Sequence, residues 1–358
     1  MNSDELSRII YDIRPESAIG IFPHVGVDGD CLGSALALKS VLAGLGYNPK
    51  ILTDEPVPKS FFFLPGIKDI IVYSSKSKTC KTESETSKTD DPNSGIPDKL
   101  DFGILVDCSQ AARTGKYAGV YSDSKNKIVI DHHFTSVCEV QYCYIDSSAS
   151  ATGQLIYNII KKLEALSGKE LFSSDIAIFL MTSIIADTGG FRYSNTNMEA
   201  FGIAYDLFSR FPIDLEEINY QLLERQSLTH ICLRGKAYEA ARYFADNRIV
   251  ICPVTQAMLE ECKSSEDDVE GICSELKNID GVAVAFVLRQ RSNGDMRINI
   301  RSSEMFDSAN FARLFNGGGH KRAAGFTLSG MTMDEGIEAI ISKSSEILQK
   351  TEGRDDGE

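Results

Sequence analysis

Five aspartates and three histidines stand in this sequence where chemistry is easily built. His24, Asp28 and Asp30 share the turn His24-Val25-Gly26-Val27-Asp28-Gly29-Asp30, in which Gly26 and Gly29 permit tight backbone geometry. Asp107 closes the apolar run Phe102-Gly103-Ile104-Leu105-Val106, and Asp131-His132-His133 closes Ile128-Val129-Ile130. Asp187 ends an apolar stretch immediately ahead of Thr188-Gly189-Gly190. Oxygen and imidazole donors without thiolate suit a hard or borderline cation such as Mn²⁺ or Mg²⁺, and six or so such groups exceed what one ion needs. Two ions are the natural count. A pair about 3.5–4 Å apart, sharing a carboxylate, can hold a phosphate oxygen, generate hydroxide near neutral pH and stabilise a leaving oxygen. Each aspartate alone reads equally well as a helix cap or turn former. Together, beside three of the chain's five histidines, they point to a metal centre.

Apolar runs of strand length alternate with amphipathic stretches of helix length over the first two hundred residues, which predicts parallel βαβ units. Strands are expected at 18–22, 50–53, 69–73, 102–106 and 127–130, and helices at 32–45, 151–166, 174–185 and 198–211. In such a sheet, ligands gather outside the carboxyl ends of the strands, where these motifs lie. Residues 74–99 are rich in Ser, Thr and charge and nearly free of apolar side chains, which predicts a disordered surface insertion. A polar helical linker follows over 219–245. A smaller α/β C-terminal domain spans 246–350, with strands at 248–252, 282–291, 296–302 and 325–328 and helices at 308–315 and 333–348. Asn293-Gly294 marks a hairpin, residues 316–320 a loop, and residues 351–358 a flexible tail. The fold class is therefore α/β, with a parallel-sheet N-terminal domain (1–218) joined by the linker to the smaller domain.

The formal net charge is 37 − 51 = −14, which disfavours sequence-blind binding to long nucleic acid. No apolar run is long enough to span a membrane, and the N-terminus lacks a signal pattern, so a cytoplasmic protein is expected. Nine cysteines at irregular spacing, without a C-x-x-C pair, predict reduced thiols. Cys31 and Cys108 read as small packing groups, and His230 as packing or surface.

The motif set resembles the DHH phosphoesterase family, named for the triplet at 131–133. The matching motifs run in order: His24-x-x-x-Asp28-x-Asp30-x-x-Gly33-Ser34, Val106-Asp107-Cys108-Ser109, and the segment from Ala186-Asp187-Thr188 to Asn195. Arg301-Ser302-Ser303 and Gly317-Gly318-Gly319-His320-x-x-Ala323-Ala324-Gly325 resemble the DHH-associated C-terminal domain. The length and glycine motif look most like the nanoRNase and pAp phosphatase branch. The resemblance implies that His24, Asp28 and Asp107 hold one Mn²⁺ and that Asp30, Asp107, His132 and Asp187 hold the other, with Mg²⁺ or Co²⁺ as substitutes. Asp107 would bridge, His133 would face the substrate phosphate, and Asp131 would orient its neighbours. The roles of His132 and His133 are interchangeable at this level. Gln154 stands where a Glu is frequent, and Val27 where a Pro is.

Residues 282–327 carry seven basic groups against Asp295, Glu304 and Asp307, a local balance of 7 − 3 = +4. Backbone N–H groups of Gly317, Gly318 and Gly319, with Arg301, Ser302 and His320, are expected to bind a substrate phosphate. The expected function is Mn²⁺-dependent hydrolysis of phosphate esters in short oligoribonucleotides, linear dinucleotides such as pApA, or pAp. Two sites at a limited distance would favour short substrates. The expected partners are a short oligonucleotide or nucleotide and a second copy of the chain, with no long nucleic acid as a stable partner and no membrane. The alternatives are an inorganic pyrophosphatase or exopolyphosphatase of the same superfamily and a non-catalytic nucleotide-binding module.

Overall fold

The computed structural model describes residues 1–73 and 99–355, so the insertion expected at 74–99 lies, apart from Lys99, outside the described residues. The chain divides into two compact units, Met1–Arg225 and Gln226–Glu358. The first begins with helix α1 (Ser3–Tyr11), followed by β1 (Ile19–Phe22), α2 (Gly29–Leu45), β2 (Lys50–Thr53), β3 (Ile71–Val72) and β4 (Phe102–Val106). A 3₁₀ segment Ala111–Tyr117 leads into the short α3 (Ala118–Ser122), then β5 (Asn126–Asp131), β6 (Tyr142–Ile145), α4 (Thr152–Ser167), α5 (Ser174–Thr188), α6 (Met198–Arg210) and α7 (Leu215–Asn219).

The strands form one parallel sheet in the order β3-β2-β1-β4-β5-β6. From β1 the chain first builds outward through β2 and β3, then returns to build β4, β5 and β6 on the other side. The switch between β1 and β4 leaves a crevice at the strands' carboxyl ends. Both faces of the sheet are covered, as parallel pairing requires. Ile21, Ile104, Val106, Ile128 and Ile130 pack towards α2, α4 and α5, while Phe22, Leu52, Leu105 and Val129 pack against Tyr117 and Tyr121.

Helix α2 begins at Gly29, three residues before the expected start, because Asp28 caps it by accepting the Cys31 N–H. Asp30 is thereby moved from a loop into the first helical turn. In the first unit α1, α3, β6 and α7 were not anticipated. Strand β6 has only four residues, and α1 is announced by a capping box between Asn2 and Glu5.

The second unit contains α8 (Leu228–Ala240), β7 (Arg242–Phe244), β8 (Ile249–Val254), α9 (Gln256–Cys262), α10 (Ile272–Lys277), β9 (Val284–Gln290) and β10 (Met296–Ser302). It ends with α11 (Ser308–Arg313), β11 (Gly318–His320), β12 (Ala323–Leu328) and α12 (Met333–Asp355), the last running on past 348. The sheet order is β11-β12-β10-β9-β8-β7, antiparallel except for β8 and β9. The segment read as a linker, 219–245, is divided. A π-helical turn at Tyr220–Glu224 belongs to the first unit, while α8 buries Leu233 and Ala237 against Val250 and Cys252 of the second. The Asn293-Gly294 hairpin forms as expected, with Gly294 in the left-handed region. The expectation of reduced thiols is corrected at two places: Cys138 is bonded to Cys143 and Cys232 to Cys262. Those pairs depend on a strand-end turn and on helix packing, which spacing does not encode. No helix among the described residues is long and apolar enough to cross a membrane.

Gly33 lets α2 approach α5 closely: a Cβ there would lie 2.4 Å from the Phe179 carbonyl oxygen and 3.1 Å from the Ser183 nitrogen. Backbone cannot give way as a side-chain tip can. Gly33→Ala should therefore destabilise the first unit by about 1–3 kcal/mol, lowering its melting temperature by several degrees in calorimetry. An unchanged transition would contradict the close approach.

Candidate metal centre

The crevice gathers all eight chemistry-bearing residues of the first unit. His24 follows β1, Asp28 caps α2, and Asp30 lies in its first turn, fully buried. Asp107 directly follows β4, its N–H bonded to the Ile130 carbonyl at 2.9 Å, and takes a left-handed backbone (φ 61°). For an aspartate that conformation costs on the order of 1 kcal/mol. Asp131 is the last residue of β5, with His132 and His133 after it. Asp187 is the penultimate residue of α5, which the left-handed Gly189 ends.

Asp107 is the pivot. Its Oδ2 is 3.4 Å from His24 Nε2, while its Oδ1 is 3.7 Å from both His132 Nε2 and His133 Nδ1. Its two oxygens thus face two different groups of donors. Beside the first oxygen, His24 Nε2 lies 3.7 Å from Asp28 Oδ2. Beside the second, His132 Nε2 lies 3.2 Å from Asp187 Oδ2 and 3.5 Å from Asp30 Oδ2. His133 sits further out, half exposed, with Nδ1 held 2.7 Å from Asp131 Oδ1. Asp131 also accepts the His133 backbone N–H and the Ser136 hydroxyl.

Several residues outside the expected set hold these groups in place. The Thr152 hydroxyl donates to Asp107 Oδ1 at 2.8 Å, and the N–H groups of Thr152 and Gly153, at the start of α4, donate to Asp30 at 2.8 and 3.2 Å. A buried carboxylate against a helix N-terminus is favourably placed. Hydroxyls of Ser34 and Ser183 donate to the same Asp30 Oδ1. Ser34 falls within a quoted motif and Thr152 lies two residues before Gln154, whereas nothing around Ser183 marked it. Gln154, in place of a frequent Glu, engages its amide with the Ser150 N–H and with Glu199.

The electrostatics are those of carboxylates forced together. Burial, then repulsion from Asp30, pushes the Asp107 carboxyl well above its usual range, and the same causes raise Asp187 to about 6. Burial opposes the charged form of Asp131, yet donors from His133 and Ser136 hold it below the ordinary value. His133 is raised to about 9 by its bond to Asp131. Burial opposes a charge on His24, but Asp107 and Asp28 overcome it and raise the ring well above its ordinary value.

The residues fit a divalent cation. His24 Nδ1 lies 2.9 Å from the Val25 carbonyl and His132 Nδ1 lies 3.2 Å from that of Ala149. A carbonyl only accepts, so each Nδ1 carries a proton and each ring turns its Nε2 towards carboxylate oxygens. His132 Nε2 is buried and has no hydrogen-bond partner among the described residues. A cation between Nε2 and the carboxylate oxygens would take the place of the protons that these groups otherwise share. His24 and Asp107, Asp107 with His132 and His133, and Asp30 with His132 and Asp187 each bring ligand atoms within 4.8 Å of one another. Cys31 lies in the first of these groups, but burial pushes its thiol pKa far up, and it is bonded to the His24 N–H and the Val106 carbonyl. Burial likewise raises Cys108 to about 12.

In the second unit, Arg301 pairs with Ala323 and Ala323 with His320, so Arg301 and His320 share one face of the sheet with a small residue between them. Two expectations are corrected. Ser302 alternates to the opposite, buried face, where its hydroxyl is taken by the Phe306 carbonyl and Ser308. Gly317 donates its N–H to the Ala312 carbonyl and is packed against Gly325 and Phe326. The expected glycine loop is also in part an edge strand, since Gly318 to His320 pair with β12. His230 lies 3.8 Å from Asp268, away from any such cluster.

The raised Asp187 gives a signed prediction. Its folded-state pKa of about 6 lies above the ordinary value of 3.8, so its contribution to stability is complete below about pH 4 and lost as pH rises through 6. Asp187→Asn stays neutral throughout. Without divalent cations the variant's melting temperature should rise relative to wild type between about pH 5 and about pH 7.5, and added MnCl₂ should reverse the order by stabilising wild type. A difference that is flat in pH and indifferent to MnCl₂ would remove Asp187 from the cluster.

Comparison with known proteins bears on the family. The model of the DHH family's N-terminal domain matches residues 18–184, and that of the DHHA1 domain matches residues 253–350. The bifunctional oligoribonuclease and PAP phosphatase NrnA of Thermus thermophilus is 29% identical over 348 residues, covering 97% of this chain and 95% of its own. Among solved structures, an exopolyphosphatase-related protein from Bacteroides fragilis has a TM-score of 0.77 at 23% identity, covering 97% of this chain and 96% of that one. RecJ from Thermus thermophilus, in complex with Mn²⁺, has a TM-score of 0.52 at 14% identity, covering 98% of this chain and 55% of the larger protein. With both domains matched in order along its length, the chain belongs to the DHH family.

Proposed function

We propose that this DHH-family phosphoesterase hydrolyses phosphate esters in short oligoribonucleotides, in linear dinucleotides such as pApA, and in pAp. The single observation that carries the reading is Asp107, whose two oxygens face separate donor groups, one containing His24 and the other His132. His24, Asp28 and Asp107 would hold one divalent cation, and Asp30, Asp107, His132 and Asp187 the other, with Mn²⁺ as the proposed ion. When bound, the pair supplies Lewis-acid chemistry and an activated water. The chain's own residues do the rest. Asp131 fixes the His133 ring through Nδ1, leaving Nε2 for a phosphate oxygen or a proton. Thr152 and the first N–H groups of α4 keep Asp107 and Asp30 from rotating. On the second unit, Arg301, Gly318, Gly319 and His320 are proposed to bind a substrate phosphate; Arg301 and His320 in register across a small Ala323 support this.

The substrate class rests on the NrnA relative, which this chain matches over nearly the full length of both. The DHHA1 match speaks for this reading over a pyrophosphatase. A cytoplasmic location is proposed with it. The proposed protein partner is a second copy. Met198, Phe201, Tyr205 and Phe208 form an exposed stripe along α6, at 91, 54, 78 and 39% exposure. Two such stripes packed together would bury on the order of 1,000 Å², near the lower limit for a specific interface.

A panel of pAp, pApA, a five-nucleotide RNA, long single-stranded DNA and pyrophosphate, supplied with MnCl₂, tests the reading directly. The first three should be hydrolysed, and Asp107→Ala should lose at least about 10³-fold in kcat while keeping its circular dichroism spectrum. Arg301→Gln or His320→Asn should chiefly raise KM. Preference for pyrophosphate or long DNA, or an active Asp107→Ala, would refute it. For the second copy, sedimentation equilibrium should show a dimer that Tyr205→Glu dissociates; a wild-type monomer at micromolar concentration would rule it out.

A further inference from the structure

A cavity of about 210 Å³ opens beside the centre, lined by Asp107, Ser109, Gln110, Arg113, His133 and Thr135 among others. It is small against the ~300–1,000 Å³ of pockets for drug-sized ligands, which suits a phosphate group better than a whole nucleotide. Its wall is the 3₁₀ segment after β4. The Arg113 carbonyl accepts the Val25 N–H at 2.7 Å, its own N–H donates to the Gln110 carbonyl at 3.0 Å, and the buried Thr114 hydroxyl donates to Ala111 at 2.8 Å. This part of the backbone is therefore tied to the loop that carries His24 and Asp28.

The charge pattern gives the cavity its meaning. Asp107 and Asp131 line it and would repel a phosphate, and the neighbouring carboxylates add to that field. Against them stands Arg113. No carboxylate pairs with its guanidinium among the described residues, although ion pairs occupy many of the chain's other arginines. A guanidinium is always charged, and its fork matches two non-bridging phosphate oxygens. The Ser109 and Thr135 hydroxyls and the Gln110 amide offer further donors.

We propose that this cavity is a phosphate subsite in which Arg113 contacts the non-bridging oxygens of the phosphoryl group presented to Asp107 and His133. The proposal deepens the phosphoesterase reading and rests on it for the identity of the substrate, but not for the chemistry of the pocket. Arg113 here binds and orients; it transfers no proton.

The test measures inorganic phosphate binding to the Mn²⁺-loaded protein by titration calorimetry, alongside KM and kcat for pAp. Arg113→Gln should weaken phosphate binding and raise KM by about tenfold or more, with kcat changed far less, and Arg113→Lys should recover part of the loss. Arg14→Gln, at an exposed position outside the site, serves as the control and should match wild type. Failure of wild type to bind phosphate, or equal affinity in wild type and Arg113→Gln, would overturn the subsite. Absence of any phosphoester hydrolysis by a wild-type protein that binds phosphate through Arg113 would instead overturn the proposed activity and leave the subsite standing.

Discussion

Mutual repulsion of carboxylates packed under one sheet edge is the constraint on which the first unit depends. Asp30 and Asp107 are buried and Asp187 is partly so, and raised pKa values at Asp107 and Asp187 record the cost of bringing them together. A fold built only for stability would not collect them. Every local device around them works to hold negative charge. The start of α4 faces Asp30, hydroxyls of Ser34 and Ser183 bind the same oxygen, and Thr152 binds Asp107. These donors satisfy the lone pairs that do not face the imidazoles. The remaining ones converge, and convergence of unsatisfied lone pairs is what gives a site its affinity for a cation.

That convergence requires helices to approach more closely than ordinary side chains allow. Gly33 and Gly153 are the positions where α2, α4 and α5 come together, and a Cβ on Gly153 would lie 2.0 Å from the Ser183 hydroxyl that binds Asp30. Helix contact and electrostatics are thus one problem here, solved by the same two glycines. The sheet supplies the other half. Because β1 and β4 are neighbours at the topological switch, residues far apart in sequence leave adjacent strands at the same edge.

Much of this was legible in the sequence because the site lies where patterns end. Apolar runs terminating in Asp107 and Asp131 mark strand ends without any need for long-range information. His132 and His133 were not separable, since adjacency gives no orientation. In space, His132 faces Asp30, Asp107 and Asp187, while His133 turns to Asp131. Ser302 was misplaced for the opposite reason: its neighbour Arg301 lies on the other face of the sheet, and alternation along β10 sends Ser302 into the core. Glycine runs carry no periodicity, so the pairing of Gly318 and Gly319 with β12 was hidden. Ser183, Arg113 and the two cysteine pairs act through tertiary neighbours, which a linear pattern does not disclose.

The charge balance of the whole chain follows from the same centre. A net charge of −14 is, taken as an average, badly matched to a phosphate substrate. The mismatch is local, however, because five aspartates are concentrated at one strand edge, while Arg113 lines the cavity beside it and Arg301 lies on a strand of the second unit. With the carboxylates uncompensated, a phosphate approaching Asp107 meets repulsion that Arg113 and His133 alone would have to offset. Two divalent cations would supply four positive charges against the five carboxylates, so that Arg113 and His133 could then tip the balance towards a phosphate. Cation and phosphate must then favour one another's binding by the same factor, as any two linked ligands do. On the proposed reading, affinity for substrate, and not only the chemical step, would therefore be set by how tightly Asp107 and its neighbours hold positive charge.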